Sequence, residues 1–441
     1  MHSMEHSYQR WPFLPPTMRT PEQNQQWWEH CFLPVLPVVN FAQAVGSTAV
    51  IGQQGNGKTT SLEFVIRQVG VQSLLVRYPV QNWPHSTRPK IPGKGHISQI
   101  MALVAAGVVH VLEMEPQRVT AVQNNPLQQE FFCWLVEKYL GRRNLVRLAY
   151  RLQQTSQAVL PVPEQFKEVY ASDEDDADVW GQIGESADLV QALGFERIVL
   201  LIDLNVTEMS DHLTDLTSLF SRLDLLEHPG WSVRAALPQT DITRQQVLPA
   251  VNGRLHPIRL EYTNEEMQTI VSRHLQAATD GRVNSLVEVA DTAVLARARQ
   301  ELKALYGLET LTGWLNWAET MLHLGAVGCE FDDDTLSEAD KATLTFFKRH
   351  VLLRLDKEMK GVWRGPQFIS LEGQPYELMK KLFGARGRPS PDAIFEVAGS
   401  TANLNTLANR LRERVEPLKG KTNIYIQNRR DQGYWLENFT E

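Results

Sequence analysis

Cysteine is scarce in this chain. Only Cys31, Cys133 and Cys329 occur in 441 residues, far apart and without metal-ligand spacing. The cysteines therefore indicate neither a disulfide framework nor a cysteine-bound zinc site. Such a low cysteine content is typical of proteins from a reducing compartment. The sequence also lacks an apolar run of roughly 18 residues, and its start lacks the basic and apolar segments of a secretion signal. We expect a cytoplasmic protein that does not contact a membrane.

A charge excess of one sign is also lacking. Lysine and arginine number 44 against 51 aspartate and glutamate, a formal net charge of -7, which argues against a general binder of nucleic acid. A local basic face is still compatible with this average. Hydrophobic residues make up 43% of a chain long enough for two or three domains, so globular domains with buried cores are expected.

A phosphate-binding loop is the clearest motif. Residues 52–60 read GQQGNGKTT, after a predicted strand at 47–51 and before a helical pattern at 60–69. The glycines let backbone N–H groups wrap around an anion at a helix N-terminus, Lys58 supplies a charge for the β- and γ-phosphates, and Thr59 supplies a hydroxyl for Mg²⁺. The complete pattern predicts a nucleotide site formed by Gly52, Gln53, Gln54, Gly55, Asn56, Gly57, Lys58, Thr59 and Thr60.

Asp203 is the predicted second ligand for the metal. It ends the aliphatic run RIVLLIDL at 197–204, which is typical of a strand buried on both faces of a parallel sheet. A carboxylate at the end of a neighbouring strand would hold Mg²⁺ beside Thr59. Leu204 stands where many ATPases have a second acid, so the candidate for activating water is Glu208, and slow hydrolysis is the alternative. ATP is favoured over GTP only in that no Asn-Lys-x-Asp motif occurs.

Strand and helix patterns divide the chain into four parts. We expect an N-terminal arm at 1–46, an α/β P-loop core with a parallel sheet at 47–262, a helical lid at 263–364 and a separate domain at 365–441. The core contains a helical insertion at about 97–185. The last part differs in composition: from Glu372 it has 11 basic against 9 acidic residues, near +2, whereas the rest is near -9.

The first three parts resemble the STAND/AAA-like P-loop ATPases of bacteria, which act as ligand-gated switches. The resemblance is carried by IGQQGNGKTT, RIVLLIDLN, LFSRLDLLEHPGWSVRAALP and RLHPIRLEYTNEEMQTIVSRHL, within about residues 10–325. It implies that Gln239 or Thr240 senses the γ-phosphate, and that Arg254 or Arg259 approaches a nucleotide in the same or a neighbouring subunit. The lid stretch ETLTGWLNWAETM lacks the sensor arginine of related proteins, which weakens the case for lid-driven hydrolysis.

The last part resembles the winged helix of OmpR/PhoB-type regulators. The predicted helices lie at 377–383, 391–397 and 402–415, the last being the recognition helix, and a hairpin follows at 423–436, ending in GYWL. In DNA-binding relatives such a helix enters the major groove. The resemblance implies contacts to double-stranded DNA or to a protein partner through Arg410, Arg412, Arg414, Arg429 and Arg430.

Two functions follow from these patterns. The leading hypothesis is an ATP- and Mg²⁺-binding molecular switch in bacterial signalling or defence, which forms nucleotide-dependent homo-oligomers and hydrolyses ATP slowly. The alternative is a DNA-binding ATPase regulator or loader, similar to origin-recognition or transposition ATPases. DNA binding that depends on the recognition helix distinguishes the two.

Overall fold

A computed structural model describes residues 8–84, 94–156, 160–164, 178–221, 223–331, 333–389, 396–429 and 433–440. The chain divides into two compact units. The core unit comprises Pro34–Glu261, and the lid unit comprises Met1–Leu33 with Tyr262–Glu441. The residues of the predicted N-terminal arm are thus shared between the two units.

The core unit is built on a five-stranded parallel sheet in the order β2-β3-β4-β1-β5. The strands are β1 (Thr48–Gly52), β2 (Ser73–Arg77), β3 (Arg197–Asp203), β4 (Trp231–Pro238) and β5 (His256–Arg259). β1 and β4 are buried along their whole length, as expected of central strands covered on both faces. Since all the strands are parallel, their carboxyl ends share one edge, where ligands bind in open α/β sheets.

Helices cover this sheet and form a large insertion between β2 and β3. They are α2 (Leu36–Gln43), α3 (Lys58–Val69), α4 (Lys94–Met114), α5 (Val119–Gln123), α6 (Pro126–Leu140), α7 (Arg142–Ser156), α8 (Asp178–Ala192), α9 (Val206–Asp211), α10 (Leu213–Phe220), α11 (Leu223–Glu227) and α12 (Leu248–Ala250), after α1 (Pro21–His30) of the lid unit. The expected helical insertion is therefore present. The acidic run at 173–176 and the basic loop at 85–93 lie outside the described residues.

One helix is long and apolar enough to cross a membrane by length and composition alone. It is the segment Gly95–Met114, with a mean hydropathy of 1.7. In the structure, Ile100, Val104 and Val108 of this helix are fully buried in the core of the unit. Packing against β2 and α6 accounts for its apolar composition.

The lid unit begins with a helical layer formed by α13 (Asn264–Thr279), α14 (Thr292–Tyr306), α15 (Leu311–Val327) and α16 (Glu338–His350). Local signals start these helices: Thr263 and Glu266 form a capping box for α13, and Ser337 and Asp340 form one for α16. The N-terminal segment packs on this layer, since the Gln9 N–H donates to the Ala278 carbonyl at 2.8 Å.

The C-terminal part is a winged helix. It contains α17 (Gln374–Gly384), α18 (Thr401–Val415) and the antiparallel hairpin of β9 (Ile426–Arg429) and β10 (Gly433–Leu436). Before these, β6 (Leu353–Asp356), β7 (Gly361–Arg364) and β8 (Gln367–Ser370) form a sheet with β11 (Phe439–Thr440), in the order β11-β6-β7-β8.

Two sequence expectations differ from the structure, and a third falls mostly on residues that it does not describe. The helical lid is predicted to reach residue 364, but β6 begins at Leu353, because the chain joins a sheet completed by the distant β11. The domain boundary proposed at 365 falls in the turn between the paired strands β7 and β8. The second winged-helix helix, predicted at 391–397, lies mostly outside the described residues.

Candidate nucleotide site and winged-helix surface

The phosphate-binding loop connects β1 to α3 at the carboxyl edge of the core sheet. Gly55 and Gly57 have φ values of 84° and 78°, a left-handed conformation that strains residues with a side chain. Gly57 is the N-cap of α3 and has no side chain, so it makes no side-chain capping hydrogen bond. The loop therefore has the geometry that presents backbone N–H groups to an anion.

Lys58 points back into this loop. Its Nζ donates to the Gln53 carbonyl at 2.9 Å, and the Asn56 N–H donates to the same oxygen at 3.3 Å. Burial lowers the pKa of Lys58, while the charge of Asp203 opposes that change. A bound phosphate would replace a neutral carbonyl with a full negative charge, which is a stronger partner for the ammonium group. The contents of this loop thus fit a nucleotide phosphate.

Thr59 and Asp203 meet at the same edge. The Thr59 hydroxyl donates to Asp203 Oδ2 at 2.7 Å, although the two residues are 144 positions apart. Contrary to the sequence expectation, β3 is not the direct neighbour of β1, because β4 lies between them. Desolvation by the surrounding protein raises the pKa of Asp203, whereas the hydrogen bond from Thr59 and the positive charge of Lys58 lower it. A hydroxyl and a carboxylate in contact are an oxygen pair suited to Mg²⁺.

Glu208 serves a local structural role in the described geometry. Its Oε2 accepts the Asn205 N–H at 3.0 Å while its own N–H donates to Asn205 Oδ1 at 2.9 Å, a capping box at the start of α9. The charge of Glu208 is close enough to raise the pKa of Asp203. Glu208 is thus near Asp203, but its carboxylate is engaged with the backbone.

Gln239 is the candidate sensor that lies in the site. It follows β4, the strand between β1 and β3, and its N–H donates to the Gly52 carbonyl at 3.0 Å. It therefore stands between the phosphate loop and Asp203. The Thr240 hydroxyl instead accepts the Thr243 N–H at 3.1 Å and contacts the Thr243 hydroxyl at 3.0 Å, so it stabilises the turn that follows β4.

The two candidate arginines lie near opposite ends of β5. Arg259 ends β5, is exposed and pairs in register with Ile51, beside the phosphate loop. Arg254 precedes β5 at the amino edge and forms an ion pair with Glu227. The structure therefore brings Arg259, and not Arg254, to the edge where the nucleotide motif lies.

The winged-helix arginines differ in their contacts: Arg412 holds α18 to the β9–β10 hairpin, and the other described ones are exposed. Arg412 donates from Nε and Nη2 to the Ile426 carbonyl at 3.0 and 2.8 Å, and its guanidinium lies 5.3 Å from the centre of the Tyr434 ring. Arg410 is exposed and has no ion-pair partner among the described residues. Arg414 is exposed, but its Nη1 donates to the Ser370 carbonyl at 3.4 Å. Arg429 is exposed, and Arg430 lies outside the described residues.

A buried carboxylate that the sequence patterns did not single out shapes this surface. Glu416 is 3% exposed and accepts the backbone N–H groups of Ile424, Tyr425 and Ile426 at 2.8 to 3.0 Å. These bonds hold the segment between α18 and β9. Nothing local in the sequence distinguishes Glu416 from exposed acids, because its partners are 8–10 residues away and meet it only through the fold.

No protein-family model matches this sequence, and no curated protein matches it. Among solved structures, the chain is similar to the Aeropyrum pernix Orc1 protein in complex with DNA, with 11% identity, a TM-score of 0.40 and coverage of 99% of this chain and 95% of that one. It is also similar to Cdc6p from Pyrobaculum aerophilum, with 11% identity, a TM-score of 0.35 and coverage of 98% and 95%. Because these identities and TM-scores are low, the similarity does not define the fold. The strand order and loop geometry of this chain define it.

Those features define a P-loop NTPase fold with a helical insertion, a helical lid and a C-terminal winged helix. The parallel sheet places the loop, Thr59, Asp203 and Gln239 at one edge.

Proposed function

We propose that this protein is an ATP-binding P-loop ATPase of the cytoplasm whose winged helix binds double-stranded DNA, so that it acts as a DNA-binding regulator or loader. The observation that carries the proposal is the combination in one chain of two features. One is a phosphate loop with the Thr59 hydroxyl 2.7 Å from the Asp203 carboxylate, and the other is a predicted recognition helix with Arg410 on its exposed side.

ATP and Mg²⁺ fit the residues of the first site. The phosphate loop and Lys58 would hold the β- and γ-phosphates, and Thr59 and Asp203 would hold the metal, which neutralises charge on the phosphates when bound. Gln239 is placed to respond to the terminal phosphate. Because the Glu208 carboxylate is engaged in a helix cap, we propose slow hydrolysis and a role for ATP mainly as a bound signal.

The exposed face of α18 supports the DNA proposal. Leu404, Leu407, Ala408 and Leu411 face the core, which leaves a polar outer face with Thr406, Asn409, Arg410 and Glu413. Asparagine and arginine are side chains that read base edges and contact phosphates. Arg412 donates to Asn428 Oδ1 at 3.2 Å, which places β9, the strand of Arg429, beside the C-terminal half of α18.

Fluorescence anisotropy with a labelled random duplex, with and without ATP–Mg²⁺ and at two salt concentrations, tests this function. We expect salt-sensitive binding that changes with nucleotide. Arg410→Ala and Arg429→Ala should each weaken it by about 1–3 kcal/mol, roughly 5- to 150-fold. Lys58→Ala should abolish ATP binding and with it the nucleotide effect.

Arg354→Ala is the matched control, because Arg354 is an exposed arginine of the same unit that belongs to β6 and not to α18 or the β9–β10 hairpin. Its affinity for the duplex should equal that of the unchanged protein. The DNA proposal fails if no duplex binds at low salt, or if the Arg410 and Arg354 variants bind alike.

A protein-binding switch of the STAND type is the second candidate. The near-neutral charge of the last seventy residues favours it, because DNA binding usually rests on several neutralised phosphates. Light scattering with and without ATP–Mg²⁺ separates the two: nucleotide-driven homo-oligomers without duplex binding would favour this candidate.

A further inference from the structure

A small cavity lies at the amino edge of the core sheet, away from the phosphate loop. Its volume is about 260 Å³, and its lining includes Ala44, Val45, Ser73, Glu196, Arg197 and Arg234. The sheet register pairs Arg234 with Thr48, at the start of β1, whereas the phosphate loop follows Gly52 at the other end of that strand. This cavity is therefore separate from the nucleotide site.

Arg234 is buried there without an opposite charge. It is 2% exposed, and its guanidinium donates to neutral oxygens: the carbonyls of Gly46 at 2.6 Å, Val233 at 3.2 Å and Ala44, and the Ser232 hydroxyl. Its Nε is buried and has no hydrogen-bond partner. In the described part of the chain, no carboxylate lies within ion-pair distance of Arg234.

A second arginine adds to this positive charge. The Arg197 side chain is 22% exposed, donates to the Val45 carbonyl at 2.7 Å, and lies 3.8 Å from the 58% exposed carboxylate of Glu196. Burial, and after it the charge of Arg197, lower the pKa of Arg234 to about 10. Among the described residues, Arg197 therefore has one exposed carboxylate nearby, that of Glu196, and Arg234 has none within ion-pair distance.

Uncompensated buried charge is costly, and buried arginines are normally paired with acids. Guanidinium groups match phosphate oxygens in geometry, and such charge-assisted bonds are stronger than bonds to carbonyls. The cavity is smaller than the typical pockets of about 300–1,000 Å³, so it suits a small ion and excludes a nucleotide.

We propose that this cavity binds a small phosphate-type anion, either inorganic phosphate or a short phosphate monoester, between Arg234 and Arg197. The anion supplies the missing negative charge at the start of β1. The proposal stands independently of the nucleotide site and of DNA binding.

Isothermal titration of the full chain with inorganic phosphate tests it. The titration uses the Lys58→Ala background, in which the phosphate loop no longer competes, and an uncharged buffer with chloride as the only other anion. Saturable binding is expected, weakened tenfold or more by Arg234→Gln and by Arg197→Gln. The control is Arg77→Gln at the end of β2, where Arg77 is paired with Glu63, and it should leave the affinity unchanged.

Glycerol phosphate and acetate are titrated in parallel. Tighter binding of glycerol phosphate would assign a monoester as the ligand, and equal or weaker binding would assign the free ion. If Arg234→Gln does not fold, Arg197→Gln at the rim of the cavity decides. The proposal is overturned if the Lys58→Ala protein binds no phosphate, if acetate binds as well as phosphate, or if Arg197→Gln and Arg77→Gln bind phosphate equally; Arg234 is then only a brace for residues 44–46.

Discussion

Glu319 of α15 is the most heavily engaged buried charge among the described residues of the lid unit. Its side chain is 1% exposed and contacts Arg349, His350 at 3.0 Å and Arg10 at 3.2 Å, while the Tyr8 hydroxyl donates to it at 2.7 Å. Burial raises the pKa of Glu319, but its hydrogen bonds and cationic neighbours outweigh burial and hold that pKa well below its ordinary value. One carboxylate thus joins the N-terminal segment to two helices.

Replacing Glu319 with glutamine should destabilise the lid unit. We expect a loss of roughly 3–5 kcal/mol in the free energy of unfolding at pH 7, because the variant removes the negative charge that pairs with the largely buried Arg349. A depressed carboxyl pKa contributes stability above the unfolded value of 4.5 and loses it as the pH falls. The gap between the two proteins should therefore narrow below about pH 4.5 in urea unfolding curves.

Glu358→Gln is the control for this experiment, since Glu358 is exposed in the turn between β6 and β7. It should change stability by no more than about 0.5 kcal/mol. An equal effect of the two substitutions, or a gap that widens in acid, would show that Glu319 does not carry the interaction.

At the scale of elements, α18 and the β9–β10 hairpin depend on each other. Arg412 and Tyr434 connect them from opposite directions: Arg412 bonds the Ile426 carbonyl, and the Tyr434 hydroxyl donates to Asn405 at 2.8 Å. An isolated two-stranded hairpin is marginally stable, so its position relies on such contacts. Arg412 is therefore a positioning residue for the proposed DNA surface.

Arg412→Ala should loosen the hairpin without unfolding the chain. Two bonds to one carbonyl and the packing on Tyr434 are lost, which we expect to cost about 1–3 kcal/mol. Amide exchange in β9 should accelerate, as measured by hydrogen exchange with mass spectrometry. Arg410→Ala is the matched control on the same helix and should leave exchange in β9 unchanged; similar exchange in both variants would contradict the brace.

At the scale of the molecule, the two units have separate cores. The apolar cluster of the core unit runs from Ala49 to Leu255, and that of the lid unit includes residues from Val271 to Leu436. Each cluster is large enough to support cooperative unfolding, and the chain crosses between the units at Leu33–Pro34 and at Glu261–Tyr262.

Scanning calorimetry should accordingly show two transitions. ATP–Mg²⁺ at about 100 times its Kd should stabilise the core unit by about 2.7 kcal/mol, because ligand binds only the folded state. Asp203→Asn should reduce the part of this shift that depends on Mg²⁺, and Lys58→Ala should abolish it. A single transition, or a shift that survives Lys58→Ala, would contradict this description.

The sequence by itself determined the P-loop class and the order of its parts, and the structure confirms the fold class. The phosphate loop is a run of adjacent residues, so its glycines, Lys58 and the helix after it can be recognised locally. Aliphatic patterning at 197–204 predicted β3 to within one residue of its end. The ligand roles of these residues stay predictions.

Only the tertiary structure decided which distant residues meet. The strand order has β4 between β1 and β3, so Gln239 lies at the candidate nucleotide site. Arg254 lies at the amino ends of the strands, away from that site. The tertiary structure also turned Arg412 into a brace while leaving Arg410 exposed, and buried Arg234 beside Arg197. Local sequence patterns indicate which residues favour a helix or a strand. Contacts between residues far apart in sequence depend on long-range packing, and that packing determines which charged side chains are buried.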